Sequence, residues 1–96
     1  MANQEHLEIV LRSAKAHDGM REWNEWRQAN LGMVPDLSEA NLSKADLSGA
    51  DLSGATVSGA DFHGTDLASA RMTATVGLEA AHNFDKAVNR DRLLKQ

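Results

Sequence analysis

No cysteine occurs among the 96 residues, so neither a disulfide scaffold nor a Cys-ligated zinc or iron–sulfur site is available. Proline occurs once, tyrosine not at all, and the aromatic residues are two Trp and two Phe. Leu, Ile, Val and Phe together number only 19, near the level at which chains stop folding. The longest strongly apolar run is Ile9-Val10-Leu11, and no basic residue precedes Arg12. Neither a secretory signal nor a membrane span is expected, and the cytoplasm is the expected compartment. Lys and Arg total 10 against 14 Asp and Glu, a net charge of −4. Nucleic acid is not an expected partner, because phosphate binding needs clustered cations. The compensating excess is alanine, with 15 residues, so any core must use small side chains at close spacing. A chain of this length makes one small domain, burying ~60–65% of its unfolded surface.

What is present is a repeat. From Pro35 to Ala74 the chain reads PDLSE ANLSK ADLSG ADLSG ATVSG ADFHG TDLAS ARMTA, eight blocks of five without an insertion. The third position holds Leu37, Leu42, Leu47, Leu52, Val57, Phe62, Leu67 and Met72. The first holds Pro35, Ala40, Ala45, Ala50, Ala55, Ala60, Thr65 and Ala70. On an α-helix, five residues advance the direction by ~500°, so the leucines would scatter around the cylinder. On a straight strand an odd period would send successive leucines to opposite faces. The pattern works if the chain turns a corner once per block. Positions one and three then face inward, and Asp, Ser and Gly at the others face water. The product is a solenoid whose coils pair through their backbones.

These residues resemble the pentapeptide-repeat family, whose tandem motif is Ala-(Asp/Asn)-Leu-x-x. The resemblance implies a β solenoid, a right-handed quadrilateral β-helix with four blocks per coil, here about two coils. Residues twenty apart should then stack, Leu37 under Val57 and Leu42 under Phe62, Leu47 under Leu67 and Leu52 under Met72. Thr65, in place of an inward Ala, and Arg71, in place of an acid, depart from the motif. The leader EHLEI, followed by WNEWRQAN and PDLS, resembles the leader of cyanobacterial members. GLEAAHNFDKA resembles a closing element of the same family.

Two coils leave both ends open, so the flanks are expected to cap them. Residues 1–34 form the N-terminal helical cap, 35–74 the solenoid and 75–96 a short C-terminal helical cap, together one domain. Leu7, Val10, Leu11 and Ala14 share a helical face behind Asn3 as N-cap. Asp18-Gly19 breaks this helix, and Asp18 caps a second, which ends near Asn30-Leu31-Gly32. Trp23 and Trp26 are expected as a lid on the first coil, the other reading being an exposed pair that grips a partner. Leu78, Ala81, Phe84 and Ala87 recur every third residue, suiting a short helix or tight turn, with Phe84 a cap residue. Leu93-Leu94, among basic residues, reads as an amphipathic cap or a dimer contact.

Chemistry is sparse. His6, His17, His63 and His82 stand at no metal-ligand spacing. Ser58, His63 and Asp61 would supply a nucleophile, base and orienter, but on different sides of the coil and without oxyanion donors. Outward carboxylates diverge, which is unsuited to the six to eight oxygens calcium takes. No glycine run cradles a phosphate. No catalytic, cofactor or metal residue is therefore expected.

Negative charge concentrates on the repeats: residues 35–74 carry −4, residues 1–34 carry −1 and residues 75–96 carry +1. Asp46, Asp66, Asp51 and Asp61 make a possible acidic interaction face. Some members of the family mimic DNA with carboxylate rows and inhibit gyrase. Two coils rise only ~10 Å at ~4.8 Å per rung, which matches about three base pairs at ~3.4 Å each. The leading expectation is a non-enzymatic protein-interaction module with an unidentified protein partner, with a homodimer through a cap or coil end as a further candidate. The alternative is an acidic DNA-mimic inhibitor of gyrase or another DNA-binding enzyme. The assigned core comprises the eight third-position residues with Ala40, Ala45, Ala50, Ala55, Ala60 and Ala70.

Overall fold

A backbone that turns every five residues can satisfy its amides only by pairing with the next coil. In the computed structural model, which describes residues 1–93, the third-position amides of one coil donate to second-position carbonyls of the next. Leu37 pairs with Thr56, Leu42 with Asp61, Leu47 with Asp66 and Leu52 with Arg71, at 2.8–3.0 Å. Return bonds run from Thr56 to Pro35, Asp61 to Ala40, Asp66 to Ala45 and Arg71 to Ala50. Parallel bridges accordingly join Asp36 to Thr56, Asn41 to Asp61, Asp46 to Asp66 and Asp51 to Arg71. Four blocks therefore complete one turn, which the five-residue period alone left open. Each bridge stays isolated, and among the described residues none extends into a strand.

Corners form by an i to i+3 bond, such as Ala40 to Leu37 at 3.1 Å, with the fifth residue left-handed. Gly fills that corner in the third to sixth blocks, while Glu39, Lys44, Ser69 and Ala74 adopt it at φ 59–62°. A side chain there costs roughly 1 kcal/mol per residue. Gly49 has a second reason to be glycine, because a Cβ on it would lie 3.0 Å from the Gly19 carbonyl oxygen.

The third-position residues Leu37 through Leu67 are sealed from solvent, as are Ala50, Ala55, Ala60 and Ala70. Ala40 is also buried, whereas Ala45 and Met72 are half-buried because they lie toward open ends. Thr65 is fully buried, and its hydroxyl donates to the Leu42 carbonyl at 2.7 Å. That bond satisfies the polar group which departs from the alanine pattern.

The stack does not end at Ala74. Bridges continue from Thr56 to Val76, Asp61 to His82 and Asp66 to Val88, at separations of 20, 21 and 22. The C-terminal segment is thus a third, partial coil built of six-residue blocks, 76–81, 82–87 and 88–93. In place of the expected helical cap there are three single 3₁₀ turns, Leu78–Ala80, Phe84–Lys86 and Arg90–Arg92. The period of three between Leu78, Ala81, Phe84 and Ala87 arises from this hexad. Each hexad inserts one left-handed residue, Gly77, Asn83 or Asn89, after its bridging residue. Phe84 is half-buried and meets Phe62 edge-on, with ring centroids 5.6 Å apart. Leu93 is half-buried. Leu94 lies outside the described residues.

The hexad also changes what the coil presents at its end. In the first two coils the fifth-position amides reach forward, Gly59 to Ala80, Gly64 to Lys86 and Ser69 to Arg92. The corresponding third-coil amides turn inward instead, Ala80 to Gly77, Lys86 to Asn83 and Arg92 to Asn89, at 2.9–3.0 Å. One forward-pointing donor per side is thereby removed from the terminal edge, a means of blunting a sheet edge.

The opposite end is covered by two helices. α1, Gln4–Ala16, starts at Asn3, whose Oδ1 accepts from the amides of Glu5 and His6. It buries His6, Ile9, Val10, Ser13 and Ala14, with Leu7 and Leu11 at the margin. The buried face is thus rotated from the one its leucines indicated. α2, Arg21–Ala29, follows Met20 as N-cap, and Asp18 Oδ1 accepts from the Arg21 amide at 3.2 Å. Ser13 Oγ accepts from the Trp23 amide and ties the helices together. No helix among the described residues is long and apolar enough to cross a membrane.

Candidate functional site

The coil has four sides, and each outward ladder is set by the second- and fourth-position residues. In the first coil Asp36, Asn41, Asp46 and Asp51 accept with Oδ1 from the amide of the Ser two residues on, each at 3.1 Å. The same oxygens accept from the hydroxyls of Ser38, Ser43, Ser48 and Ser53 at 2.5–2.7 Å. These Asp–x–Ser units are Asx turns that stiffen the sides. Their serines are hydrogen-bonded to carboxylates or amide oxygens, not to histidine. In the second coil Asp61 Oδ1 accepts from the His63 amide and Asp66 Oδ1 from the Ala68 amide.

The inserted asparagines of the third coil complete these acceptors. Asn83 Nδ2 donates to Asp61 Oδ1 at 3.1 Å and Asn89 Nδ2 to Asp66 Oδ1 at 2.9 Å. Gly77 follows Val76, whose bridge partner Thr56 has no carboxylate to receive a donor. The Asn83 amide is the main cause holding the Asp61 carboxyl below the ordinary carboxylate range. The Ser38 hydroxyl does the same for Asp36, and the Ser48 hydroxyl followed by His17 for Asp46. Burial pushes Asp51 upward, but the Ser53 hydroxyl and amide outweigh it and the net direction is down.

The four acids read as one face lie on three sides. Asp46 and Asp66 share the third side as bridge partners, Asp61 is on the second and Asp51 on the fourth beside Arg71. Successive blocks occupy successive sides, so no single face can collect them. Asp46 is further engaged by His17 Nδ1 at 2.9 Å. Ser58 lies on the first side, and Asp61 and His63 lie on the second, so they do not form a nucleophile, base and orienter. Among the described residues no three metal-ligating side chains converge.

The first-coil edge is where the cap acts most. Asn3 donates its amide to the Asp36 carbonyl, and the Asp36 amide donates to His6 Nδ1 at 3.0 Å. His6 is buried, lies 4.8 Å from the Trp26 ring and places Nε2 3.2 Å from Met33 Sδ. The ring thus meets the coil edge with Nδ1 and the Met33 sulfur with Nε2. On the fourth side the Trp23 indole donates to the Asp51 carbonyl at 2.9 Å, and Asn24 Oδ1 accepts from the Asp51 amide. Arg27 forks across the same edge to the Asp51 and Ser53 carbonyls, at 2.7 and 2.8 Å.

Trp23 is sealed and Trp26 half-buried, with ring centroids 5.2 Å apart. The sequence held no sign of His6, Asn24 and Arg27 as edge partners beyond their helical spacing. Their role depends on which backbone groups the coil leaves open.

Residues 36–73 match the family model for pentapeptide repeats in eight copies, and the match does not extend to the leader or the C-terminal hexads. No curated protein and no solved structure matches the chain. The eight copies coincide with the eight blocks whose amides pair at a spacing of one four-block coil, so residues 36–73 are an array of pentapeptide repeats.

Proposed function

We propose that the chain is a non-enzymatic protein-interaction module. Its scaffold is read as a right-handed quadrilateral β-helix within one domain, in which the helical cap, repeats and C-terminal hexads share a core. The observation that carries this reading is the regular engagement of the outward side chains. Serine hydroxyls and carboxylates are tied to one another in Asx turns, giving flat, stiff polar sides in place of a poised nucleophile and base. Stiff sides lose little conformational entropy on association, which suits recognition of a protein surface. A cytoplasmic location belongs to this reading and accords with a cysteine-free chain.

Acidic mimicry of DNA gains less support, since the carboxylates divide among three sides and serve as local hydrogen-bond acceptors. The test is affinity capture from nuclease-treated lysate of the source organism. Wild type is compared with Asp46→Asn/Asp66→Asn, which removes charge from the third side and keeps the Oδ1 acceptors. A partner retained by wild type and lost by the variant is the expected result. Retention of the chain alone overturns the module reading, and inhibition of gyrase supercoiling at micromolar protein replaces it with mimicry.

A further inference from the structure

The two ends of the stack are treated differently, and two sides of the N-terminal edge are left open. The C-terminal edge is blunted by the inward-turning amides of Ala80, Lys86 and Arg92. At the other end the cap fills the first side with Asn3 and His6 and the fourth with Trp23, Asn24 and Arg27. On the second side the Asn41 amide and carbonyl and the Ser43 carbonyl, and on the third the Asp46 amide and carbonyl and the Ser48 carbonyl, have no hydrogen-bond partner among the described residues; the third is set apart by a hollow with two lysines. A sheet edge that a protein does not blunt is a template for another extended chain.

The same end shows a backbone amide from outside the coil taken up by this edge. Asn3, extended at φ −65° and ψ 124°, lays its own amide on the Asp36 carbonyl of the first side at 3.0 Å. Beside the open third side, between α1 and the coil, lies a hollow of about 260 Å³. Leu11, Ala14 and Ala45 give it apolar walls, and Lys15 and Lys44 stand on its rim opposite a single acid, Asp46. The hollow is smaller than ordinary small-molecule pockets, which run ~300–1,000 Å³. Its two lysines make a cationic spot on a chain whose net charge is −4. The two-residue alternation of a strand matches this arrangement, one side chain entering the hollow and its neighbours facing out.

We propose that the third side of the first coil is a strand-addition site for an extended acidic peptide segment of a partner protein. Backbone bonds to Asp46 and Ser48 supply the pairing, an apolar side chain fills the hollow, and an adjacent carboxylate meets Lys15 and Lys44. This inference rests on the interaction-module reading and concerns the coil edge, a surface apart from the outward carboxylates that Asp46→Asn/Asp66→Asn removes.

The probe is a displayed library of linear dodecapeptides, selected against the full chain. Enriched sequences are expected to alternate apolar and polar residues, contain Asp or Glu and lack proline across the paired stretch. Binding of a synthetic enriched peptide should weaken at least tenfold in Lys15→Glu/Lys44→Glu, and as much when its pairing amides are N-methylated. Both lysines are exposed, and Glu39 already occupies the equivalent left-handed corner to Lys44, so the variant keeps its fold. Hydrogen exchange at the Asp46 amide should slow on binding. Failure to enrich any peptide, or binding indifferent to both lysine reversal and N-methylation, overturns the site. A lysate partner still captured by Lys15→Glu/Lys44→Glu under either of those outcomes leaves the module reading standing while this edge fails.

Discussion

Replacing Phe62 and Phe84 by leucine, singly and together, measures whether the third coil is packed on the second. Phe62 is sealed in the middle coil, and the half-buried Phe84 meets it at 90° across 5.6 Å. Phe62→Leu should cost about 1.5–3 kcal/mol, below the ~3–5 of full truncation to alanine. Phe84→Leu should cost about 0.5–1.5 kcal/mol, since part of its surface already meets water. Edge-to-face pairs contribute ~0.5–1.5 kcal/mol beyond area burial, so the double variant should cost less than the two singles together by that amount. The contact of Arg90 with the Phe84 ring, 5.7 Å to the centroid, is lost in both the Phe84 single and the double and cancels.

Urea unfolding followed by tryptophan fluorescence reads these values from the far end of the stack, because Trp23 and Trp26 sit in the N-terminal cap. A domain of this size is stable by roughly 5–15 kcal/mol, leaving room for the double variant to fold. A coupling below about 0.3 kcal/mol, with Phe62→Leu still destabilising, refutes the packing of a third coil on Phe62.

Three further outcomes follow from the same geometry. Asp36, Asp46 and Asp61 have folded pKa values below their unfolded ones, so their contribution is present at neutral pH and is lost as pH falls through about 4 toward the folded values. The melting temperature should hold from pH 7 to about 5 and then fall, less steeply in Asp36→Asn/Asp46→Asn; a rise on acidification contradicts the assignment. Gly77→Ala would place a Cβ 2.7 Å from Ser58 Cβ at φ +85°, whereas Gly54→Ala meets nothing within 4 Å at φ +72°. Calorimetry should show about 1 kcal/mol lost at Gly54 from backbone strain alone and at least about 2 at Gly77, and equal losses would refute the close approach of the coils there. Deleting Gly77, Asn83 and Asn89 restores pentads and frees the amides of Ala80, Lys86 and Arg92 to point forward. Light scattering should then show mass rising with concentration, and an unchanged mass would mean the hexads do not blunt the edge.

The repeats were legible because their cause is local. A left-handed corner every five residues, with Leu and Ala inward, is dictated by sequence spacing, and the sealed burial of Leu42, Leu52 and Phe62 accords with it. The departure at Thr65 was visible as well, though not its solution, because the accepting Leu42 carbonyl lies more than a coil away.

The third coil was hidden for the opposite reason. Its blocks share no consensus with the pentads, and what makes them a coil is pairing of Val57, Phe62 and Leu67 with Val76, His82 and Val88. The side of the coil on which each Asp falls depends on the number of blocks per turn, so the acids that looked like one face came out on three. His6, Asn24 and Arg27 read as ordinary helical polar residues until the coil's unsatisfied carbonyls and amides stood beneath them. The sequence by itself determined the corners and the inward stripe, since both follow from residue chemistry within five positions. The stacking number, the self-closing hexads and the open second and third sides come from the folded chain, since each depends on a hydrogen-bond partner supplied, or left out, by a distant part of it.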